Sequence, residues 1–157
     1  MQPTQQLEIK AGLQVLKPII EVFEAIADPD KMKNYFISQS SGHMKEGAIL
    51  KWKFPEMEME FEVKVGKIEK PNYISYYWDG ASDGENTLVE MKLQAVEDNV
   101  TFISITEKSK PNNENGILWL KRNTEGWANF LACLKAWMEY GIHLRKGAFN
   151  KSQLPQS

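Results

Sequence analysis

Between Trp127 and Met138 the apolar residues Trp127, Phe130, Leu131, Leu134, Trp137 and Met138 recur at the three- and four-residue intervals of one helix face. This spacing predicts one long helix over 115–141, with Asn129, Lys135 and Glu139 on the opposite face. Two tryptophans and a phenylalanine cannot be sheltered by a lone helix, so the stripe requires a broad apolar partner. Earlier parts of the chain alternate instead with a period of two. Leu7, Ile9, Ala11 and Leu13 suggest an opening strand, and Leu50, Trp52 and Phe54 alternate with Lys51 and Lys53 until Pro55 breaks the run. The cleanest alternation sets Met57, Met59, Phe61, Val63 and Val65 against four glutamates and Lys64. An aromatic strand follows at 73–78, then strands carrying Val89, Met91, Leu93 and Ala95, and Val100 to Ile105. Short turns join these strands, which makes the sheet antiparallel.

Helical punctuation lies between the first two strands. Pro18 suits the first turn of a helix containing Ile19, Val22, Phe23 and Ile26, and Asp28-Pro29 stops it and starts a second, short one reaching Tyr35-Phe36. Residues 37–47 could hold a short strand but read more plainly as a connecting loop, 79–86 as a turn and 108–115 as a polar crossover. The expected class is therefore α+β: a curved antiparallel sheet of six or seven strands wrapped around a long C-terminal helix, with two short helices between strands 1 and 2. Lys51 and Lys53 can face the glutamates of the next strand, and that acidic row reads as a solvated sheet face rather than an acidic binding site.

Size and charge narrow the function classes. A chain of 157 residues fits one domain, with a core over about 7–141 and a partly loose tail at 142–157 in which Leu144 and Phe149 are the docking groups. Lys plus Arg total 19 against 21 Asp plus Glu, with no long basic run, so nothing suits a nucleic-acid backbone. No apolar run approaches the roughly 20 residues of a membrane span. The start MQPTQQLEIK lacks the features of a secretory signal, and the lone Cys133 on the last helix reads as an inert buried thiol, so a reducing cytoplasmic setting is expected. His43 and His143 have no partners at ligand spacing, so neither a metal nor another cofactor is expected.

This order of elements resembles the START-like, or helix-grip, superfamily (SRPBCC, Bet v 1-like), which also contains polyketide cyclases and the major birch-pollen allergen. Within it the sequence is most similar to the activator of Hsp90 ATPase homologue family. Pro18 to Phe36, with Val22-Phe23 and Asp28-Pro29, resembles the family's opening; Glu69, Pro71 and the aromatic strand after Asn72 resemble its middle; Gly126-Trp127, Leu131, Leu134, Trp137 and Glu139, closed by Gly141, resemble its last helix. The match runs over roughly 7–141. One departure is Gly47-Ala48, where the family usually carries paired glycines.

The resemblance implies a chamber between helix and sheet, lined by apolar and aromatic groups with a few polar ones. Candidates from the sheet are Trp52, Phe54, Met59, Phe61, Tyr76, Trp78, Met91 and Leu93. The short helices add Phe23, Tyr35 and Phe36, and the long helix Trp127, Phe130 and Leu131. Wall and filler use the same residue types, so a tight core is the competing expectation. Gly126 inside the helix, about 1 kcal/mol less favourable than alanine, suggests a close approach there. Glu107 and Asp79 are placed at strand ends and read as solvated. No catalytic residue stands out. The expected function is binding of a small hydrophobic ligand, lipid or polyketide-like, without chemistry; the alternatives are docking of a chaperone or other protein, and a cyclase-like enzyme that shapes its substrate.

Overall fold

Residues 5–79 and 84–149 are described by the computed structural model of the chain. Strand β1 (Gln6–Val15) leads through α1 (Ile19–Ala27) and α2 (Pro29–Met32) into β2 (Gln39–Ser40), β3 (Ile49–Lys53), β4 (Glu60–Glu69), β5 (Tyr73–Trp78), β6 (Thr87–Glu97) and β7 (Val100–Pro111). The long helix α3 (Glu114–Tyr140) follows. The seven strands form one sheet in the order β1-β7-β6-β5-β4-β3-β2, and each described pairing is antiparallel. Consecutive strands are neighbours except for β1, which pairs with the last strand. The two short helices therefore carry the chain from one sheet edge to the other.

Local chemistry accounts for the element ends. The Asp28 side chain accepts the Asp30 N–H at 2.9 Å, and Pro29 occupies the first turn of α2, so one residue pair ends α1 and starts α2. The Asn113 side chain accepts the Gly116 N–H at 2.8 Å and caps α3, which ends at Gly141 with φ 67°, a left-handed conformation that glycine adopts without a Cβ penalty. Register shifts at Leu7/Glu8, Val65/Ile68 and Ala95/Glu97 add local twist, the bend that lets a sheet wrap a helix. The helix-grip architecture expected from the sequence is what forms.

The α3 stripe behaves as its spacing requires: Trp127, Phe130, Leu131 and Leu134 are buried, joined by Trp119 two turns earlier, while Trp137 and Met138 are half-buried. Lys51 faces Glu62 and Lys53 faces Glu60 across β3 and β4, as the alternating charges suggested. Cys133 is buried, and burial pushes its thiol above the ordinary value.

Several boundaries differ from the sequence reading. The second helix stops at Met32, and turns carry Tyr35 and Phe36 inward. The β4 ladder starts at Glu60, because the chain turns at Phe54–Met57 after Pro55; Met59 is consequently 73% exposed and lines nothing. Strand β7 runs to Pro111, six residues past Ile105, which shortens the polar crossover to Asn112 and Asn113. Lys135 and Glu139 are not simply solvated. The Lys135 ammonium donates to Gln14 O at 2.8 Å, and Glu139 accepts the Leu16 N–H at 2.9 Å, so this pair satisfies backbone groups at the free edge of β1. Gly126 is exposed with nothing within 4 Å of a Cβ built on it, so no close approach explains it. In the described part of the tail Arg145 reaches Glu56 at 2.7 Å and 3.2 Å, Phe149 lies under its guanidinium, and Leu144 stays exposed. Part of the expected turn at 79–86 and the tail beyond 149 fall outside the described residues.

Candidate functional site

Inward alternation on β3, β4 and β5 and the α3 stripe bring rings from distant sequence together. Phe36, delivered by the turns after α2, meets Phe130 at 4.7 Å, Phe54 at 5.2 Å, Trp52 at 5.8 Å and Trp127 at 6.2 Å between ring centroids. Trp52 meets Tyr76 at 5.3 Å and Phe61 at 6.2 Å; Trp78 meets Trp127 at 5.5 Å. Most of these pairs are edge-to-face or tilted, the geometry that the ring quadrupole favours. Tyr35 extends the chain of contacts to Trp137 at 5.9 Å. The sequence candidates Tyr35, Phe36, Trp52, Phe54, Phe61, Tyr76, Trp78, Trp127 and Phe130 thus form one continuous network between helix and sheet. Phe23, Met91, Leu93 and Leu131 are buried in the surrounding core, with Phe23 beneath Lys70 at 5.8 Å. Met59 belongs to neither group.

The polar atoms among these rings divide sharply. Tyr35 donates its hydroxyl to Ala25 O at 2.8 Å. Tyr76 Oη and Trp52 Nε1 are buried without a hydrogen-bond partner, as is Trp119 Nε1 nearer the start of α3. Burial pushes the Tyr76 hydroxyl well above its ordinary value, and the charge of Glu107 adds to that shift. Tyr76 therefore stays a neutral donor.

Glu107, expected to be solvated, is 0% exposed and is the polar centre of the molecule. Its Oε1 accepts from Trp127 Nε1 at 2.8 Å and Asn123 Nδ2 at 3.1 Å; its Oε2 accepts from Thr87 Oγ1 at 2.5 Å and Trp78 Nε1 at 3.1 Å. Three of these neighbours, the two indole N–H groups and the Asn123 amide, only donate here, while the Thr87 hydroxyl can donate or accept. Among the described residues no lysine or arginine pairs with it. The reason for its position is visible in the alternation of β7, where Thr101, Ile103, Ile105 and Glu107 point to the same inner face. Thr87 continues the inward series Val89, Met91 and Leu93 in the same way, and Asn123 stands one turn before Trp127 on the α3 stripe. Extending each period by one step would have found this cluster.

At the opposite corner, Arg145 closes over the rings. Its guanidinium lies 5.0 Å from the Phe54 centroid and 5.8 Å from Phe36, with side-chain exposure of 11% for Arg145 and 8% for Glu56. A separate hollow of about 350 Å³ lies between α1, α2 and the end of α3, bounded by Lys17, Glu21, Ala25, Lys31, Trp137 and Met138. No group of described residues could hold a metal ion, and no described helix is long and apolar enough to cross a membrane.

Comparison with known proteins matches residues 17–139 to the family described as activator of Hsp90 ATPase homolog 1-like protein. No curated protein matches the chain. Among solved structures, the chain is similar to protein SSP2350 from Staphylococcus saprophyticus, with 25% identity and a TM-score of 0.75 over 87% of this chain and 94% of that one. It is similar to the Aha1 dimer of Colwellia psychrerythraea, with 21% identity and a TM-score of 0.72 over 86% and 98% of the two chains. It also resembles DynU16, from the dynemicin biosynthetic locus, with 21% identity and a TM-score of 0.75 over 86% of this chain; it spans only 48% of DynU16.

Proposed function

The chain belongs to the activator of Hsp90 ATPase homolog 1-like family, and from that premise we propose that it binds a small hydrophobic molecule, lipid or polyketide-like, among the rings between sheet and α3, as a cytoplasmic protein without catalytic chemistry. The observation that carries this reading is the pair of bare donors inside the aromatic network, Tyr76 Oη and Trp52 Nε1. A buried polar group without a partner costs about 1–3 kcal/mol, a cost that a bound ligand oxygen would remove. Buried groups of this kind are rare enough in native proteins to call for an explanation. A fold relative from a biosynthetic locus agrees with a small-molecule role.

A second reading, docking of a chaperone or other protein, is favoured by a different surface. Leu16, whose N–H is bonded to Glu139, is 51% exposed, Ile20 45%, Tyr140 69% and Ile142 53%, around the end of α3. Native mass spectrometry of the protein from its own host separates the two. A retained small molecule supports the interior site; a mass equal to the bare chain, with no thermal stabilisation by naphthalene or fatty acids, would sink it, because a ligand that binds only the native state must raise the melting temperature.

A further inference from the structure

The polar groups in the ring network also restrict what the ligand can be. Trp78 and Trp127 have committed their N–H groups to Glu107, and Tyr35 has committed its hydroxyl to Ala25. What remains bare is donor capacity, on Tyr76 and Trp52, whose rings are 5.3 Å apart. A guest with an acceptor oxygen satisfies such atoms, whereas a pure hydrocarbon leaves them as they are.

Charge adds a second restriction. Glu107 is held by neutral donors, and among the described residues no lysine or arginine pairs with it, so its hydrogen bonds alone offset its charge. The cation nearest the rings in the opposite corner, Arg145, is neutralised by Glu56. Tyr76 packs 5.7 Å from Trp78, which is itself bonded to Glu107, so a guest at Tyr76 is one ring away from the negative charge. In a dry interior, like charges repel far more than they do in water.

Resting on the interior-site reading above, we propose that the site selects a neutral aromatic molecule bearing a hydrogen-bond-accepting oxygen, such as an aryl ketone or quinone, and that Glu107 makes it reject carboxylates. The ketone oxygen accepts from Tyr76 Oη or Trp52 Nε1, its ring system replaces or stacks on neighbouring side chains, and a fatty-acid or aryl-carboxylate head is excluded by charge.

Three probes of one shape test this: naphthalene, 2-acetonaphthone and 2-naphthoate, titrated into the full chain at neutral pH by ligand-observed NMR. The ketone is expected to bind about tenfold tighter than naphthalene, and the carboxylate at least about tenfold weaker than the ketone, tenfold being the worth of one ordinary hydrogen bond. Tyr76→Phe, with Trp52→Phe added where one donor replaces the other, should bring the ketone down to the affinity of naphthalene. Glu107→Gln should raise naphthoate affinity relative to naphthalene. Naphthoate binding the unmodified protein as tightly as the ketone overturns the inference without any variant being required. So does a ketone preference that survives loss of both donors. Binding of naphthalene without a ketone preference overturns this inference alone, whereas binding of none of the three removes the interior site as well.

Discussion

Replacing Thr87 with valine removes one donor from Glu107 and changes little else. Thr87 is 3% exposed, starts β6, and its hydroxyl lies 2.5 Å from Glu107 Oε2, with Trp78 O a distant alternative at 3.4 Å. Valine has the same shape and suits a strand equally well, so packing and backbone preference nearly cancel. What remains is a hydrogen bond to a charged acceptor, worth about 1.5–3 kcal/mol, compared with about 0.5–1.5 for a neutral pair. Thr101 provides the internal control. It is 0% exposed, sits in β7, and donates to the neutral carbonyl of Lys17 at 2.8 Å. Urea unfolding of both variants should give Thr87→Val the larger loss by about 1 kcal/mol or more, with unchanged m values. In thermal unfolding, each kcal/mol corresponds to about 2–4 °C for a domain of this size. A Thr87→Val loss equal to or smaller than that of Thr101→Val would refute the reasoning, because the acceptor at Glu107 would then not be behaving as a buried carboxylate that depends on its donors.

Two glycines on α3 should respond in opposite directions. Gly126→Ala has open space around its Cβ and should stabilise by up to about 1 kcal/mol, whereas Gly116→Ala drives a Cβ into the Pro111 carbonyl oxygen and should destabilise by about 1–3 kcal/mol; chemical denaturation reads both, and a destabilising Gly126→Ala would show that the helix meets something there after all. Burial works against ionisation of Glu139, but the hydrogen bonds from Lys135 and from the Leu16 N–H outweigh it and hold its carboxyl below the ordinary value. A carboxyl lowered on folding contributes stability above its unfolded value and loses it as pH falls through the lowered one. Glu139→Gln should therefore flatten the acid limb of a stability-versus-pH curve, and an unchanged limb would remove Glu139 from the account.

Much of the architecture was written in the two periods of the chain. The 3.6-residue stripe of α3 and the two-residue alternations of β3, β5 and β6 name the residues that end up inside, because burial is decided by which face a side chain takes. Prediction failed where a local break was overruled by pairing. The run through Met57 and Met59 looks like a strand, yet Pro55 and the turn after Phe54 use those residues to reverse the chain, and pairing with β3 starts only at Glu60. Lys108–Pro111 looks like a crossover, yet β1 pairs along it, with Lys110 opposite Leu7 and Pro111 opposite Gln6. The ring network was legible from composition and period. Glu107 was not, since a glutamate next to a polar stretch reads as solvated until its four donors, contributed by β5, β6 and α3, are seen around it.

The rings that hold α3 on the sheet are the same ones a guest must push aside, so entry requires the network to open where it is held least. Around Glu107 four hydrogen bonds tie three strands to the helix, and near β1 Lys135 and Glu139 lock the helix to the sheet edge. At the β3–β4 corner Phe54 and Phe61 are only half-buried, Met59 projects outward, and closure depends on Arg145, a residue beyond the end of α3, reaching across to Glu56. Local opening is easiest where few buried contacts and one exchangeable ion pair must be released. Arg145→Ala should therefore speed association of 2-acetonaphthone in stopped-flow measurements, by about tenfold if closure is worth about 1.4 kcal/mol. The double variant Arg145→Ala, Glu56→Ala should be no faster than the single one, because either change alone already breaks the pair. An association rate unchanged by Arg145→Ala, in a variant that still binds, would place the entrance elsewhere, with the hollow beside Trp137 as the next corner to open.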